Sequence, residues 1–246
     1  MTFNQPRRRH PKLKVPALAL AAVAATAATA YAGWSLRLPD KVCVPVRPAP
    51  APAGRVAAAN ADPGQAAPSV PEVSLSGVSW VDYHGYELPV SAQAGPRDTA
   101  GGLVAGYADT PLGALLAAVN IAARTSWQFG PSVFGPTVSH QVSGRFAAQM
   151  LSADQASWDQ GAPESVAGTA GTRQVAFAIE AYTPSGAAID IVTGAPGAGA
   201  YVVTQVHAVR ARGDWRVLAP PGGDWADSAV QVQSPDGFTA FPGQGA

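Results

Sequence analysis

The sequence predicts an α+β domain in which helices cover one face of a curved, four-stranded antiparallel sheet. Three observations predict it. A capped, apolar-striped helix opens at Thr110-Pro111; the hydrophobic period switches to two from Thr172 onward in four successive runs; and a Pro-rich stretch ahead of Val73 sets the folded part off from the N-terminus. Helical patterns followed by a strand meander are the order that segregates helices to one face of a sheet.

The N-terminus comes first. Arg7, Arg8, Arg9, Lys12 and Lys14 precede an uncharged run, Val15–Leu36, and all sixteen acidic residues follow it. The run would span about 33 Å as a helix, against a hydrocarbon core of about 30 Å. Positive charge stays on the cytoplasmic side. Residues 1–14 are therefore expected to be a basic cytoplasmic tail, 15–36 a transmembrane helix, and the remainder extracytoplasmic. Ala30-Tyr31-Ala32 before Gly33 also fits a cleaved signal peptide, with release after Ala32. Retention is favoured because the uncharged run exceeds the usual apolar region of such signals.

Residues 37–72 read as a tether. Proline is spread through alanine-rich sequence without apolar periodicity, the signature of an extended, semi-rigid spacer. Cys43, the single cysteine, lies here, so no internal disulfide can hold the domain. Beyond residue 36 the chain carries eleven basic and sixteen acidic residues, a net charge of −5. That balance argues against direct nucleic-acid binding by the exported domain, which would need a basic stripe.

The domain is expected over 73–226. Val73 to Trp80 alternates like a strand, and His84-Gly85 turns it into Tyr86–Val90. Gly95 to Gly106 is a loop. Thr110 supplies a cap, Pro111 is pre-set for the first helical position, and Leu112, Leu115, Leu116 and Val119 form one stripe. This helix is expected to run to about Trp127. Pro131 and Pro136 break the next stretch, and a second helix is predicted between Phe146 and Asp159.

From Thr172, Val175, Phe177, Ile179 and Ala181 alternate with Gln174, Ala176, Ala178 and Glu180, and Pro184-Ser-Gly186 makes a turn. Ala187–Val192, Tyr201–Ala211 and Trp215–Leu218 complete the predicted meander, with Gly213-Asp214 between the last two. The Gly-, Pro- and Asp-rich tail, including residues 227–246, reads as irregular.

Chemistry is sparse. The domain has no lysine, so a Ser-x-x-Lys pair is excluded, and the zinc-protease, Cys-x-x-Cys and nucleophile-elbow motifs are absent. Asp82 and His84 stand two apart on a strand and would share a face; they also border a turn, where both residues are ordinary solvated ones. His140 and His207 are lone histidines. Glu180 and Asp190 fall on opposite arms of a hairpin and are candidates to face each other. No catalytic, metal or cofactor set is expected, so the chain reads as a non-enzyme.

Two stretches resemble a known group. Ala108-Asp-Thr-Pro-Leu-Gly-Ala-Leu-Leu-Ala-Ala-Val-Asn120 is similar to the capped helix, and Val209-Arg-Ala-Arg-Gly-Asp-Trp-Arg-Val-Leu218 with Pro220-Pro-Gly-Gly-Asp-Trp225 to the closing hairpin, of exported domains from mobile elements of high-GC Gram-positive bacteria. The layout resembles bitopic, TcpC-like assembly proteins of conjugation and type IV secretion. The resemblance implies a cone-shaped, nuclear-transport-factor-like domain on a single-pass membrane scaffold. It also implies contacts with other transfer-complex proteins, with homo-oligomerisation left open. Only one such domain fits here, where TcpC-like members carry two. The alternative is an exported small-ligand binder or cone-pocket enzyme. It requires a deep cavity holding at least two of Asp82, His84, Tyr107, His140, Glu180 and His207.

Overall fold

The computed structural model describes residues 70–161, 173–195 and 199–243. The predicted transmembrane helix Val15–Leu36, the basic tail and most of the 37–72 tether lie outside them. Among the described residues no helix is long and apolar enough to cross a membrane.

The first element is a hairpin of β1 (Val78–Tyr83) and β2 (Tyr86–Ser91), a two-stranded sheet of its own. Its two-residue turn is His84-Gly85, with φ of 56° and 83°. Two positive φ values give the turn twist that matches the strands, and glycine takes the second at no steric cost. The turn lies where it is expected, but the first strand runs Val78–Tyr83 rather than Val73–Trp80.

The helix α1 (Pro111–Arg124) begins as expected: Thr110 Oγ1 accepts the Gly113 N–H at 3.1 Å, with Pro111 in the first turn. Such a cap is worth about 1 kcal/mol. Every residue from Gly113 to Arg124 is buried, so the single apolar stripe underestimates this helix. It packs on the strands Gly186–Gly194, Tyr201–Ala211 and Asp214–Leu218 on one side and on β2 on another. Ala114, Ala117 and Ala118 are buried as well, while Ala122 continues the Val119 side that faces the sheet. Leu115, Leu116 and Ile121 are fully buried, each worth about 1.5–3 kcal/mol. Gly113 is required for space: a Cβ there would lie 2.0 Å from the Ala108 carbonyl oxygen. Asn120 ties the hairpin to the helix, its Nδ2 donating to the carbonyls of Pro89 (2.8 Å) and Leu116 (2.9 Å).

The helix ends at Arg124 rather than Trp127. A 3-10 turn, Trp127–Phe129, precedes α2 (Pro131–Gln141), where the sequence predicts a break. Pro131 opens this helix, since its missing N–H is one of the free donors of a first turn. Pro136 sits inside, at a cost of about 3 kcal/mol, offset by burying Val133, Phe134 and Val138. The third helix, α3 (Ala147–Gln160), falls where it is predicted.

The main sheet overturns the predicted architecture. It has seven strands and is mixed, in the order β3 (Val142–Ser143), β7 (Asp214–Leu218), β6 (Tyr201–Ala211), β5 (Gly186–Gly194), β4 (Arg173–Thr183) and β9 (Thr239–Ala240), with β8 (Ala229–Val232) also paired to β6. The predicted four form its centre: β4 (Arg173–Thr183), β5 (Gly186–Gly194), β6 (Tyr201–Ala211) and β7 (Asp214–Leu218), all antiparallel. The turn before β7 is Arg212-Gly213, one residue earlier than predicted. Three strands carry no signal in the sequence: β3 (Val142–Ser143), parallel to β7; β8 (Ala229–Val232), which continues the β6 edge beyond β7; and β9 (Thr239–Ala240) on β4. The tail taken as irregular thus completes the sheet. The described residues hold three α-helices against nine strands, so the four-stranded, nuclear-transport-factor-like cone is not the fold of this protein.

Two bulges in β4 break its strict alternation. The register shifts between Gln174 and Ala176 and again between Ile179 and Ala181. Each extra residue resets which face its successors occupy. Gln174, Phe177, Ile179 and Tyr182 consequently share the α1 side, while Val175, Ala176, Val192, Tyr201, Val203 and Val232 build a second, smaller core on the outer face.

Candidate binding groove

The sequence-predicted residues do not converge. Asp82 Oδ1 accepts the Gly85 N–H at 3.3 Å, a turn contact, and the exposed His84 is the turn residue itself, its ring edge-on to Tyr83. His140 is exposed in the last turn of α2. His207 is exposed on the outer sheet face, opposite Ala188. Glu180 is the exposed extra residue of the second bulge; Ala178, not Glu180, pairs with Asp190. Tyr107 is buried beside the Asp214 end of β7, and burial pushes its hydroxyl well above the usual tyrosine range. Among the described residues no three His, Cys, Asp or Glu side chains come together to hold a metal. The anchor residues Arg7, Arg8, Arg9, Lys12 and Lys14 lie outside the described residues.

The recess between α1 and the sheet is small. It measures about 20 Å³ and is lined by Val119, Ala123, Gln174, Thr193, Thr204 and Trp225 among others. One water needs about 10–15 Å³, so this is room for one. Gln174 Nε2 donates to Tyr86 Oη at 2.9 Å, while its Oε1 has no partner and borders the recess. None of the six residues named for a ligand cavity lines it.

The larger recess lies on the opposite face of the sheet, with a volume of about 270 Å³. Its floor is Asp190 of β5 with Val203 and Gln205 of β6; its wall is the segment Asp227, Ser228, Ala229 and Val230. Local physics places each group. Ile189 and Ile191 turn inward to α1, so the pleat sends Asp190 outward, directly across from Gln205. Asp224 caps the 3-10 turn Trp225–Ser228 by accepting the Ala226 N–H at 2.9 Å, and Trp225 anchors it, its Nε1 donating to Thr125 Oγ1 at 2.9 Å. The anchored turn presents Asp227 and Ser228, then β8 pairs with β6 and closes that end.

Asp190 is the unusual member, only 4% exposed. One of its oxygens accepts from Gln205 Nε2 at 3.1 Å. Among the described residues no cation pairs with it. The sequence holds a signal for this residue: a lone carboxylate inside the apolar run Ala187-Ala-Ile-Asp-Ile-Val192. Gln205, Asp227 and Ser228 have no such mark, because the groove is formed by a tail that reads as irregular.

Two further polar clusters are structural in character. Arg124, 5% exposed, lays its guanidinium over the Tyr83 ring at 3.5 Å, and its Nε has no partner. Burial pulls its pKa down, opposed by Tyr83 and Tyr107. On α3, burial and then the neighbouring Asp224 push the Asp154 carboxyl from 3.8 up to about 8.

Comparison with curated proteins and with solved structures returns no match. Nothing found links the chain to conjugation or to TcpC-like proteins, and the cone fold that the resemblance implied is not present. A family model, a domain of unknown function (DUF8175), matches residues 43–240. That span covers the entire main sheet, the three helices among the described residues, and the floor and wall of the groove, and the chain therefore belongs to the DUF8175 family.

Proposed function

We propose that this protein is a non-enzymatic, exported binding domain that holds a partner protein against the outer face of its main sheet. The observation that carries this reading is the groove of about 270 Å³ beside Asp190, more than ten times the volume of the recess under α1. A folded surface with an open polar groove and an interior filled by side chains suits contact with another macromolecule better than enclosure of a substrate. Export is supported by the charge asymmetry of the N-terminal region, with five basic residues before Val15 and every acidic residue after Leu36. The Pro-rich stretch ahead of residue 70 supplies reach.

A photo-reactive amino acid at Ser228, compared with one at Ser152 on the exposed side of α3, tests it in living cells. A protein adduct formed from position 228 and not from 152 is the expected result. Equal labelling at both positions, or none at 228, removes the outer face as the binding surface. Protease added to intact, wall-stripped cells tests export: the domain is expected to be cleaved, and complete protection places it inside.

A further inference from the structure

The groove has an unbalanced chemistry. Asp190, Asp227, Gln205 and Ser228 carry carboxylate, amide and hydroxyl oxygens, one Asp227 oxygen lying beside Gly222, and their side chains bring no cation. Gln205 Nε2, one of the few donors, is already used on Asp190. The second Asp190 oxygen and Gln205 Oε1 take no hydrogen bond among the described residues. A carboxylate on a residue that is 4% exposed, held by one neutral amide and with its other oxygen not fully buried, is stabilised by a cation that approaches along the groove. The floor beside it is not polar throughout: Val203 and Val230 give an apolar track toward the outer core.

We propose that this groove is the receptor for an arginine side chain of the partner protein, whose guanidinium docks against Asp190 and Asp227 while its aliphatic stem lies along Val203 and Val230. This rests on the binding reading above and names what is bound. A guanidinium has five donors and no acceptor, the complement of a lining rich in acceptors. It is planar, so it can meet a carboxylate through two hydrogen bonds at once. It is also more weakly hydrated than an ammonium, which lowers the cost of bringing it beside a nearly buried carboxylate. Anions and simple carbonyl ligands are disfavoured by the same lining, and the net charge of −5 beyond residue 36 acts in the same direction.

The test is an NMR titration of the full chain with N-acetyl-arginine-N-methylamide, run beside its lysine counterpart and spermidine. Arginine is expected to shift the Gln205 side-chain amide and the Ser228–Val230 backbone saturably. Binding is expected to weaken about tenfold in Asp227→Asn and further in Asp190→Asn, each losing one charge-assisted contact. Asp227 is exposed, so its variant carries the test even should Asp190→Asn fail to fold. The proposal is overturned by shifts outside the groove, by no saturable shift, or by a folded Asp227→Asn that binds as the parent does. An equal response to lysine or spermidine overturns the assignment to arginine. Silence toward arginine with a Ser228 protein adduct in cells sinks this inference alone; the absence of both sinks the binding reading as well.

Discussion

The Asp214 carboxylate accepts the backbone N–H of Gly106 at 2.7 Å, joining residues 108 positions apart. Its other oxygen accepts from Tyr107 at 3.2 Å and from its own neighbour Trp215 at 2.8 Å. One side chain at the start of β7 therefore fixes the end of the long loop that leads into α1. Trp215 adds to the hold, its Nε1 donating to the Ala108 carbonyl at 2.9 Å. Sequence reading assigns Asp214 to a turn; its role is to clamp a loop.

Removing that clamp has a defined cost. Asp214→Ala leaves the Gly106 and Tyr107 amides without acceptors and is expected to lower unfolding free energy by about 2–3 kcal/mol, with Asp214→Asn losing about half as much. Urea denaturation followed by tryptophan fluorescence measures both. Equal loss in the two variants would mean that charge, rather than the number of acceptors, carries the contact.

Asn120 is the corresponding link between α1 and the hairpin. Asn120→Ala deprives the Pro89 carbonyl of its donor and opens a small void in a fully packed helix, so a loss of about 2–3 kcal/mol is expected. Amide exchange should rise in β2 before it rises in β5. Uniform loss of protection across both strands would contradict a local role.

Arg124 tests whether a buried cation stabilises this fold. Its guanidinium is stacked on Tyr83 but has no carboxylate partner among the described residues. Replacing it with methionine keeps the length and removes the desolvation cost, so Arg124→Met is expected to change stability by less than about 1 kcal/mol. Arg124→Ala, which also removes packing, should cost about 2–4 kcal/mol. A large loss in the methionine variant would show that the stack with Tyr83 outweighs desolvation.

Asp154 makes stability depend on pH. Its folded-state pKa is raised from 3.8 to about 8, so between those values the folded chain keeps a proton that the unfolded chain has released. This contribution is complete below about pH 3.8 and is lost as pH rises toward 8. Asp154→Asn removes the titration. Its melting temperature should exceed that of the parent at pH 8 and approach it at pH 4, as measured by calorimetry at both. An equal difference at the two values would exclude Asp154 as the cause.

Much of the centre of this fold is legible residue by residue. Thr110 and Pro111 announce α1, His84-Gly85 announces a hairpin, and the runs that become β4 to β7 appear in the right order with nearly the right ends. Each rests on contacts within a few residues. The misses share a different cause. Pro131 and Pro136 read as breaks because the energy of burying Val133, Phe134 and Val138 is invisible locally. The β4 bulges escape a period-two reading because the register belongs to two strands at once. Asp190 stands out among isoleucines, yet its neighbours in the groove do not, since they arrive from residues 227–230.

By itself the sequence determined the charge asymmetry around residues 15–36, the capped start of α1, the turns and the four central strands. These depend on short-range sterics, capping and hydrophobic period, which a single stretch of chain carries within itself. The tertiary structure alone decided that the tail completes a seven-stranded mixed sheet, that β3 runs parallel to β7, and that Asp190 meets Gln205, Asp227 and Ser228 in one groove. Strands of two to four residues have no period to read. They exist because a distant edge satisfies their backbone hydrogen bonds, and that partner is chosen only when the whole core has assembled.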